Sequence, residues 1–350
     1  MASSTTNYQA NQRRNIEKLR SVLKELPEFC RTFFRGIENT TSSLTRLNYA
    51  YDIRLFFSFL CENLDSFQGK TALSISLEDL DTLSPMDIER FLEYITLYEK
   101  GDAEYENHAP GKARKLSSIR SFFKYLHKNG LIKNNPASLT DMPKLHEQPI
   151  VRLEPDEVAK LLDAVEQGAG LTKTQQRYHK QTKSRDLALL TLFLTTGIRI
   201  SELTGLNVAD LDFSANAFQI TRKGGNRVVL YFGEETREAL LQYLEQRTSI
   251  DPVFGHEDAL FLSMQRTRMS VRAVQLLVKK YTAMITPLKR ITPHKLRSTY
   301  GTMLYQETGD IYLVADVLGH KDVNTTKKHY AALSDEKRRM AAKAIKLRDD

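Results

Sequence analysis

Six side chains in the second half of the chain combine positive charge, proton-transfer groups and one phenol, in the order Arg199, Lys223, His294, Arg297, His320 and Tyr330. Arginine presents a planar fork that binds two phosphate oxygens at once and stays charged at any physiological pH. Tyrosine is a weak nucleophile at its ordinary pKa, so a tyrosine that attacks covalently needs neighbours of this kind. The set therefore indicates attack of a phenolic oxygen on a phosphodiester that the cationic groups hold.

Short motifs surround these residues. Thr-Gly-Ile-Arg-Ile-Ser-Glu-Leu contains Arg199, Arg-Lys-Gly-Gly-Asn contains Lys223, Pro-His-Lys-Leu-Arg ends at Arg297, and Leu-Gly-His precedes Tyr330. Any one of them occurs by chance, but together and in this order the segment from Leu153 to the C-terminus resembles the catalytic domain of the tyrosine recombinases, the Xer and phage-integrase family. Most of residues 25–150 shows a weaker resemblance. Thr-Arg-Lys-Gly-Gly and Thr-Pro-His-Lys-Leu-Arg are most similar to the single-protein Xer recombinases of Gram-positive bacteria.

The resemblance implies roles for the arginines and histidines. Arg199 and Arg297 would clamp the non-bridging phosphate oxygens, where fixed positive donors stabilise the charge that grows in the transition state. His294, three residues before Arg297 and so on the same side of a helix, would exchange a proton with the tyrosine hydroxyl. His320 would hydrogen-bond the phosphate. A salt bridge between Arg199 and Glu202 at a helix end is the structural alternative for that arginine.

The resemblance also implies the nucleophile and the general acid. Tyr330 would form an O-(3′-phospho-DNA)-tyrosine intermediate, and Lys223 would protonate the leaving 5′ oxygen. Tyr330 lies ten residues after His320, where many relatives have nine, and no other tyrosine lies between them. Ser298 stands where many relatives have histidine. The sequence contains no Walker motif or carboxylate cluster, and we expect neither a cofactor nor a metal ion.

The composition favours an acidic partner. The chain of 350 residues has 51 Lys and Arg against 43 Asp and Glu, for a net charge of +8. Nucleic acid is the first candidate partner, and a merely basic protein is the alternative. The two cysteines, Cys30 and Cys61, do not make a disulfide framework, and no apolar run has the length of a membrane span. We expect a cytoplasmic protein that does not enter a membrane.

The length and the apolar periodicity predict two mainly α-helical domains. Residues 1–138 are predicted to form an N-terminal helical bundle, which the resemblance identifies as a SAM-like core-binding domain. Residues 139–153, with Pro143 and Pro149, are predicted to form the linker. Residues 154–350 are predicted to form a mostly helical catalytic domain with a small antiparallel β-sheet and a C-terminal tail helix.

Two regions of this layout are expected to contact DNA or position the site. The bundle carries a basic helix, and Thr45, Lys112, Lys115 and Arg120 are predicted to bind nucleic acid, although a solvated face is the usual alternative. In the second domain, strand-like runs on both sides of Gly224-Gly225 predict a hairpin. A third strand is predicted at Ala259–Leu262. The polar residues 167–183 are predicted to form an exposed loop or short helix, and His179 within them has no predicted role.

The leading hypothesis is a site-specific DNA recombinase that cuts and rejoins DNA. Its expected role is Xer-type chromosome dimer resolution. Integration or excision of a mobile element or phage uses the same active site and is the alternative role. A type IB topoisomerase-like enzyme and a non-catalytic DNA-binding relative are further alternatives. The expected partners are a double-stranded DNA recombination site, a homodimer on each site, a homotetramer in the synaptic complex and a cell-division DNA translocase. The tail after Ser334 is expected to dock on a neighbouring subunit or to remain free.

Overall fold

The computed structural model describes residues 7–145, 151–222, 225–320 and 322–323. The chain divides into two compact units, residues 1–147 and 148–350. Each unit has its own hydrophobic core. Both are mainly α-helical, as the sequence predicted. The division falls inside the segment 139–153 that was predicted to be the linker, whose boundaries stay a prediction.

The first unit is built around an aromatic core. Its helices are α1 Asn7–Val22, α2 Glu28–Gly36, α3 Ser43–Asn63, α4 Leu77–Asp81, α5 Pro85–Tyr94, α6 Ala109–Lys128 and α7 Pro136–Leu139. Helix α3 begins where the Ser42 hydroxyl accepts a hydrogen bond from the Thr45 amide at 3.2 Å, which is an N-cap. Phe56, on α3, is fully buried and meets the Phe91 ring at a centroid distance of 5.0 Å.

A two-stranded antiparallel hairpin, β1 Leu97–Lys100 and β2 Ala103–Glu106, lies between α5 and α6 and was not predicted. Its turn contains Gly101 at φ 61°, a backbone conformation that glycine adopts without steric cost. The Tyr98 and Tyr105 rings stack across the strands with centroids 5.4 Å apart. The Gly-Asp dipeptide between two tyrosine-containing runs is the sequence signal that could have identified this hairpin.

The second unit packs its helices around the central helix α9. These helices are α8 Pro155–Gln167, α9 Lys173–Thr196, α10 Ile200–Gly205, α11 Glu234–Thr248, α12 Val271–Ile285, α13 Pro293–Thr308 and α14 Ile311–Leu318. The prediction of a separate loop or short helix at 167–183 was wrong, because the chain from Lys173 onward is the first part of α9. The Thr172 hydroxyl caps this helix by accepting from the Gln175 amide. His179 is buried with Nε2 at 2.6 Å from the Val165 carbonyl oxygen, so it has a packing role.

The sheet of the second unit has three antiparallel strands in the order β3 Leu211–Asp212, β4 Ala217–Thr221 and β5 Arg227–Tyr231. The hairpin predicted around Gly224-Gly225 is therefore present as β4 and β5. The prediction of a third strand at Ala259–Leu262 was wrong. Ala259 and Leu262 make only isolated bridges, to Asn207 and Arg268, and the short strand β3 pairs with β4 instead.

Candidate active site

The C-terminal turn of α14 is where several of the predicted site residues meet. Helix α14 ends at Leu318, and its C-cap Gly319 adopts a left-handed conformation. The last carbonyl groups of a helix lack intrahelical donors. The carbonyl oxygens of residues 316–319 accept hydrogen bonds from three arginine side chains, Arg199, Arg222 and Arg297. We call these three the helix-end arginines. The negative end of a helix dipole favours cations at this position.

Arg199 reaches the turn from the start of α10. Its backbone amide donates to Glu202 Oε2 and its Nη1 to Glu202 Oε1, both at 2.9 Å. Its Nη2 donates to the carbonyl oxygen of Gly319, also at 2.9 Å. The salt bridge foreseen as a structural alternative is therefore present, and it orients the guanidinium toward α14. The Glu202 side chain is only 5% exposed, so it holds this arginine from the interior side.

Arg297 joins the ends of two helices. It lies on α13, is 7% exposed, and donates from Nη1 to the Gly197 carbonyl oxygen at 2.5 Å and from Nη2 to the Leu318 carbonyl oxygen. Gly197 is the C-cap of α9, and Leu318 is the last residue of α14. One buried guanidinium thus bonds the carbonyl ends of α9 and α14, the helices that lead into the Arg199 and His320 motifs.

Glycine is required in two of the motifs because other side chains approach their backbone. A Cβ at Gly197, where φ is +59°, would lie 2.3 Å from the Tyr300 ring. A Cβ at Gly319, where φ is +61°, would lie 2.2 Å from Nη1 of Arg222. Both positions therefore combine a left-handed backbone with a contact that any side chain would disturb, since it would displace the Tyr300 ring or the Arg222 guanidinium.

Arg222 is the site residue that sequence reasoning missed. It follows β4 directly and donates from Nη2 to the Val317 carbonyl oxygen at 2.7 Å and from Nη1 to the Asp316 carbonyl oxygen at 3.4 Å. The pKa of its guanidinium is lowered, and burial is the largest cause. The Glu202 carboxylate raises the pKa, and the Arg199 charge lowers it further. An arginine in a hairpin motif is usually solvated, so its contact with α14 has no local sequence signal.

Of the other four predicted catalytic residues, two lie within the described part of the chain and two lie outside it. His320 directly follows the turn, and its backbone amide donates to the Ala315 carbonyl oxygen at 2.9 Å. His294 lies in the first turn of α13, exposed, on the helix that carries Arg297. Lys223 and Tyr330 lie outside the described residues. The structure thus brings Arg199, Arg297 and the His320 backbone together at one turn.

The four residues predicted to bind nucleic acid belong to the first unit. Lys115 is buried and donates to Asn107 Oδ1 at 2.5 Å, and burial is the main cause of its lowered pKa. Arg120 donates from Nε to the Ala137 carbonyl oxygen at 3.0 Å and from Nη2 to the Thr140 carbonyl oxygen. Thr45 and Lys112 are half-buried. Lys115 and Arg120 therefore have bonds within the bundle, and contact of all four with DNA stays a prediction.

Comparison with known families covers both units. The profile of the Phage integrase family matches residues 151–337, more than half of the chain. The profile of the Phage integrase N-terminal SAM-like domain matches residues 31–130. The chain belongs to the phage integrase family. It is therefore a tyrosine recombinase, an enzyme that transfers DNA strands.

Curated relatives support this assignment over most of the chain. The tyrosine recombinase XerC of Caldanaerobacter subterraneus subsp. tengcongensis is 32% identical over 318 residues, which cover 87% of this chain and 81% of the relative. The tyrosine recombinase XerC of Syntrophus aciditrophicus is 31% identical over 304 residues, which cover 85% of this chain and 90% of the relative. The resemblance to the Xer recombinases is thus confirmed, and its narrower Gram-positive form stays a prediction.

Solved structures share the fold. A variant of the Tn1549 transposon integrase in complex with transposon right end DNA aligns with a TM-score of 0.61 at 19% identity, covering 89% of this recombinase and 99% of that chain. A lambda integrase dimer bound to a COC′ core site aligns with a TM-score of 0.58 at 18% identity, covering 87% and 96%. At these identities the likeness shows the fold of the recombinase, which is the predicted fold class.

Proposed function

We propose that this tyrosine recombinase cuts and rejoins DNA at a specific site through a 3′-phosphotyrosine formed by Tyr330. The observation that carries the proposal is the convergence of the helix-end arginines on one turn of α14, beside His320. The catalytic roles that we propose belong to Arg199, Lys223, His294, Arg297, His320 and Tyr330.

The electrostatics of the turn suit a phosphodiester. The hydrogen bonds of Arg222 to described residues run to carbonyl oxygens, which carry partial charge only. Such bonds fix a guanidinium without neutralising it, and each guanidinium has five N–H donors. Donors held in place before reaction stabilise the charge that grows on the equatorial phosphate oxygens, because they reorganise little. Arg199 and Arg297 would bind the non-bridging oxygens in this way.

The proposed reaction is a transesterification. The Tyr330 oxygen bonds to phosphorus while the bond from phosphorus to the 5′ oxygen breaks. His294 accepts the phenolic proton, Lys223 donates a proton to the leaving oxygen, and His320 hydrogen-bonds the phosphate. The released 5′ hydroxyl of one duplex then attacks the phosphotyrosine of the other, which regenerates Tyr330. Because the phosphotyrosine conserves the bond energy, the cycle needs no nucleotide.

The proposed biological role is the resolution of chromosome dimers. Its support is the similarity to relatives named XerC over more than four fifths of this chain. A homodimer on each DNA site, a homotetramer in synapsis and a cell-division translocase are the partners that this role requires. The cytoplasm is the corresponding location, and within the described residues no helix is long and apolar enough to cross a bilayer. Residues 1–138 and 154–350 would act as the two domains that bind the duplex, with Thr45, Lys112, Lys115 and Arg120 on the first.

Tyr330→Phe tests the nucleophile. The substitution removes one hydroxyl and no positive charge, so we expect complete loss of covalent protein–DNA adduct with DNA binding retained. The measurement uses a suicide substrate nicked near the cleavage point, with adducts separated on a denaturing gel and binding followed by mobility shift.

Tyr312→Phe is the matched control, because the Tyr312 side chain is exposed on α14 and the substitution removes the same hydroxyl. It should form adduct at the normal rate. Adduct that persists in Tyr330→Phe would remove Tyr330 from the mechanism and move attention to Tyr312 and Tyr305.

A further inference from the structure

Helix α6 of the first unit has a face that suits a nucleic acid. The helix contains six lysines and arginines and no aspartate or glutamate. Its exposed residues Arg114, Ser117, Lys124 and Lys128 recur at spacings of three, seven and four, so they lie on one side of the helix. An anionic duplex on this side would meet no carboxylate that belongs to α6.

Arg114 differs from the other basic residues of α6 in how it is held. Its Nη1 and Nη2 donate to Oδ2 and Oδ1 of Asp52, on α3, at 2.5 and 2.7 Å. Asp52 is 3% exposed, and its Oδ2 also accepts from the buried Ser118 hydroxyl at 2.6 Å. The Arg114 side chain is 50% exposed. A buried carboxylate therefore fixes the orientation of a guanidinium that solvent can reach.

The donors that Arg114 has left over suit a base better than a phosphate. A guanidinium has five N–H groups, and within the described residues that of Arg114 hydrogen-bonds only Asp52. The edge formed by Nε and Nη2 keeps two donors, which match the O6 and N7 acceptors of guanine in the major groove. Two phosphate oxygens would match the same edge. The Asp52 carboxylate, however, compensates the Arg114 charge and repels an anion, whereas it does not repel the neutral acceptors of a base.

We infer that Arg114 recognises a guanine of the recombination site, and that Asp52 and Ser118 are positioning residues that orient its guanidinium. The inference rests on the proposed binding of the duplex by the first unit. It adds to the predicted nucleic-acid-binding residues one whose donors remain available, whereas Lys115 and Arg120 have bonds within the bundle.

A purely structural contact between α3 and α6 is the competing role of the pair. Loss of stability does not separate the two roles, because the ion pair joins the helices in both cases. The preference of the protein among DNA sequences does separate them, since a structural contact has no effect on which base pair is bound.

Selection of bound duplexes from a random pool tests the inference on the full-length protein. Arg114→Lys keeps a positive charge beside Asp52 but lacks the planar fork. Wild-type protein should select a consensus with a G·C pair that Arg114→Lys does not select. Wild-type protein should also prefer this consensus to the duplex with A·T at that pair by about 5- to 150-fold, whereas Arg114→Lys should bind both duplexes equally.

Asp52→Asn tests the positioning role. The substitution keeps the shape of the side chain and removes the charge that compensates Arg114. We expect a weaker preference for the G·C pair together with tighter binding to DNA of unrelated sequence, because the net charge increases by one. Partial unfolding would lower both quantities, so opposite changes identify the effect of orientation and charge.

Arg31→Lys is the matched control, because Arg31 on α2 is 47% exposed and is also paired with a carboxylate, that of Glu28. It should select the wild-type consensus. The same consensus from Arg114→Lys as from wild-type protein would overturn the inference and leave Arg114 as a contact between two helices. An equal loss of affinity for every duplex would indicate a phosphate contact and would overturn it too.

Wild-type protein that selects no consensus would overturn the proposed site-specific function, and the inference with it. Urea denaturation measures the folding of each variant. If Arg114→Lys does not fold, the double variant with Arg114→Gln and Asp52→Asn takes its place with the same expected loss of the G·C pair, because it leaves no unpaired charge in the bundle.

Discussion

Two groups of charged side chains in the second unit have partners of opposite kinds. In the first, Asp186 is 1% exposed and accepts from Arg185 at 2.6 Å, from the Tyr281 hydroxyl at 3.0 Å and from Lys280 at 3.4 Å. We call these four residues the Asp186 cluster. Here a carboxylate lies at the centre, and the cations compensate its charge.

The helix-end arginines show the reverse arrangement. Backbone carbonyl oxygens of α14 lie at the centre, and the guanidinium groups of Arg199, Arg222 and Arg297 surround them. A carbonyl dipole orients a cation without cancelling its charge, whereas a carboxylate compensates that charge. Arg199 has both kinds of partner, because it also forms a salt bridge with Glu202. The comparison teaches that the helix-end arginines share carbonyl oxygens as partners, which the cations of the Asp186 cluster do not all need in order to stay buried.

The largest expected effect is on folding, at the Asp186 cluster. Asp186→Ala leaves Arg185 buried without its carboxylate, and breaking a buried ion pair in this way costs about 3–5 kcal/mol. We expect this loss in the free energy of unfolding, measured by urea denaturation. The rate of cleavage per folded molecule should not change.

Asp163→Ala, at an exposed position on α8, is the matched control and should leave the free energy of unfolding unchanged. A specific loss of cleavage in folded Asp186→Ala protein would show that the cluster also serves the reaction, and the comparison would fail at that point.

The next effect is on the reaction, at the helix-end arginines. Arg199→Ala should reduce the rate of cleavage about 10²–10³-fold, as does loss of one preorganised donor to a transition-state oxyanion. Its effect on unfolding should be smaller than that of Asp186→Ala, because the Arg199 side chain is 34% exposed and Glu202 keeps its hydrogen bond from the backbone amide of residue 199. Single-turnover cleavage and urea denaturation on the same preparation measure both quantities. A large loss of stability with normal cleavage would mean that Arg199 serves folding, as the cations of the Asp186 cluster do.

The smallest expected effect is that of chelation. If cationic side chains supply the charge stabilisation, EDTA should leave the rate of recombination unchanged within error, with no added nucleotide. The assay compares recombinant product formed with and without the chelator. Activity that disappears in EDTA and returns with Mg²⁺ would mean that a divalent ion, and not the helix-end arginines alone, balances the phosphate charge.

The sequence was sufficient where function constrains residue type and spacing. Arg199 and Arg297 lie in motifs whose order identified the family, and the structure places both at one turn. Arg222 could not be predicted, because its partners are carbonyl groups 94 and 95 positions away along the chain and appear in the sequence only as the end of a helix. Backbone acceptors leave no signature in residue type.

The fold was predictable where apolar residues recur at spacings of three and four, as in α3. It was not predictable where local polarity opposed the tertiary structure. The start of α9 is rich in polar residues that favoured a loop, yet its N-cap at Thr172 and its continuity with the buried part of the helix make it helical. Similarly, the run at Ala259–Leu262 is apolar because it packs in the core, and not because it pairs in the sheet.

The contact between Gly319 and Arg222 couples the residue types that two distant positions can accept. While arginine occupies position 222, every substitution at 319 meets both a left-handed backbone and an occupied volume. A smaller residue at 222 would remove the second obstacle and leave the first. The cost of changing the Leu-Gly-His glycine thus depends on the hairpin sequence, so the order in which the two positions change decides which intermediates remain active. Loss of the arginine would therefore widen the choice of residue type at position 319, within the limit that the left-handed backbone sets.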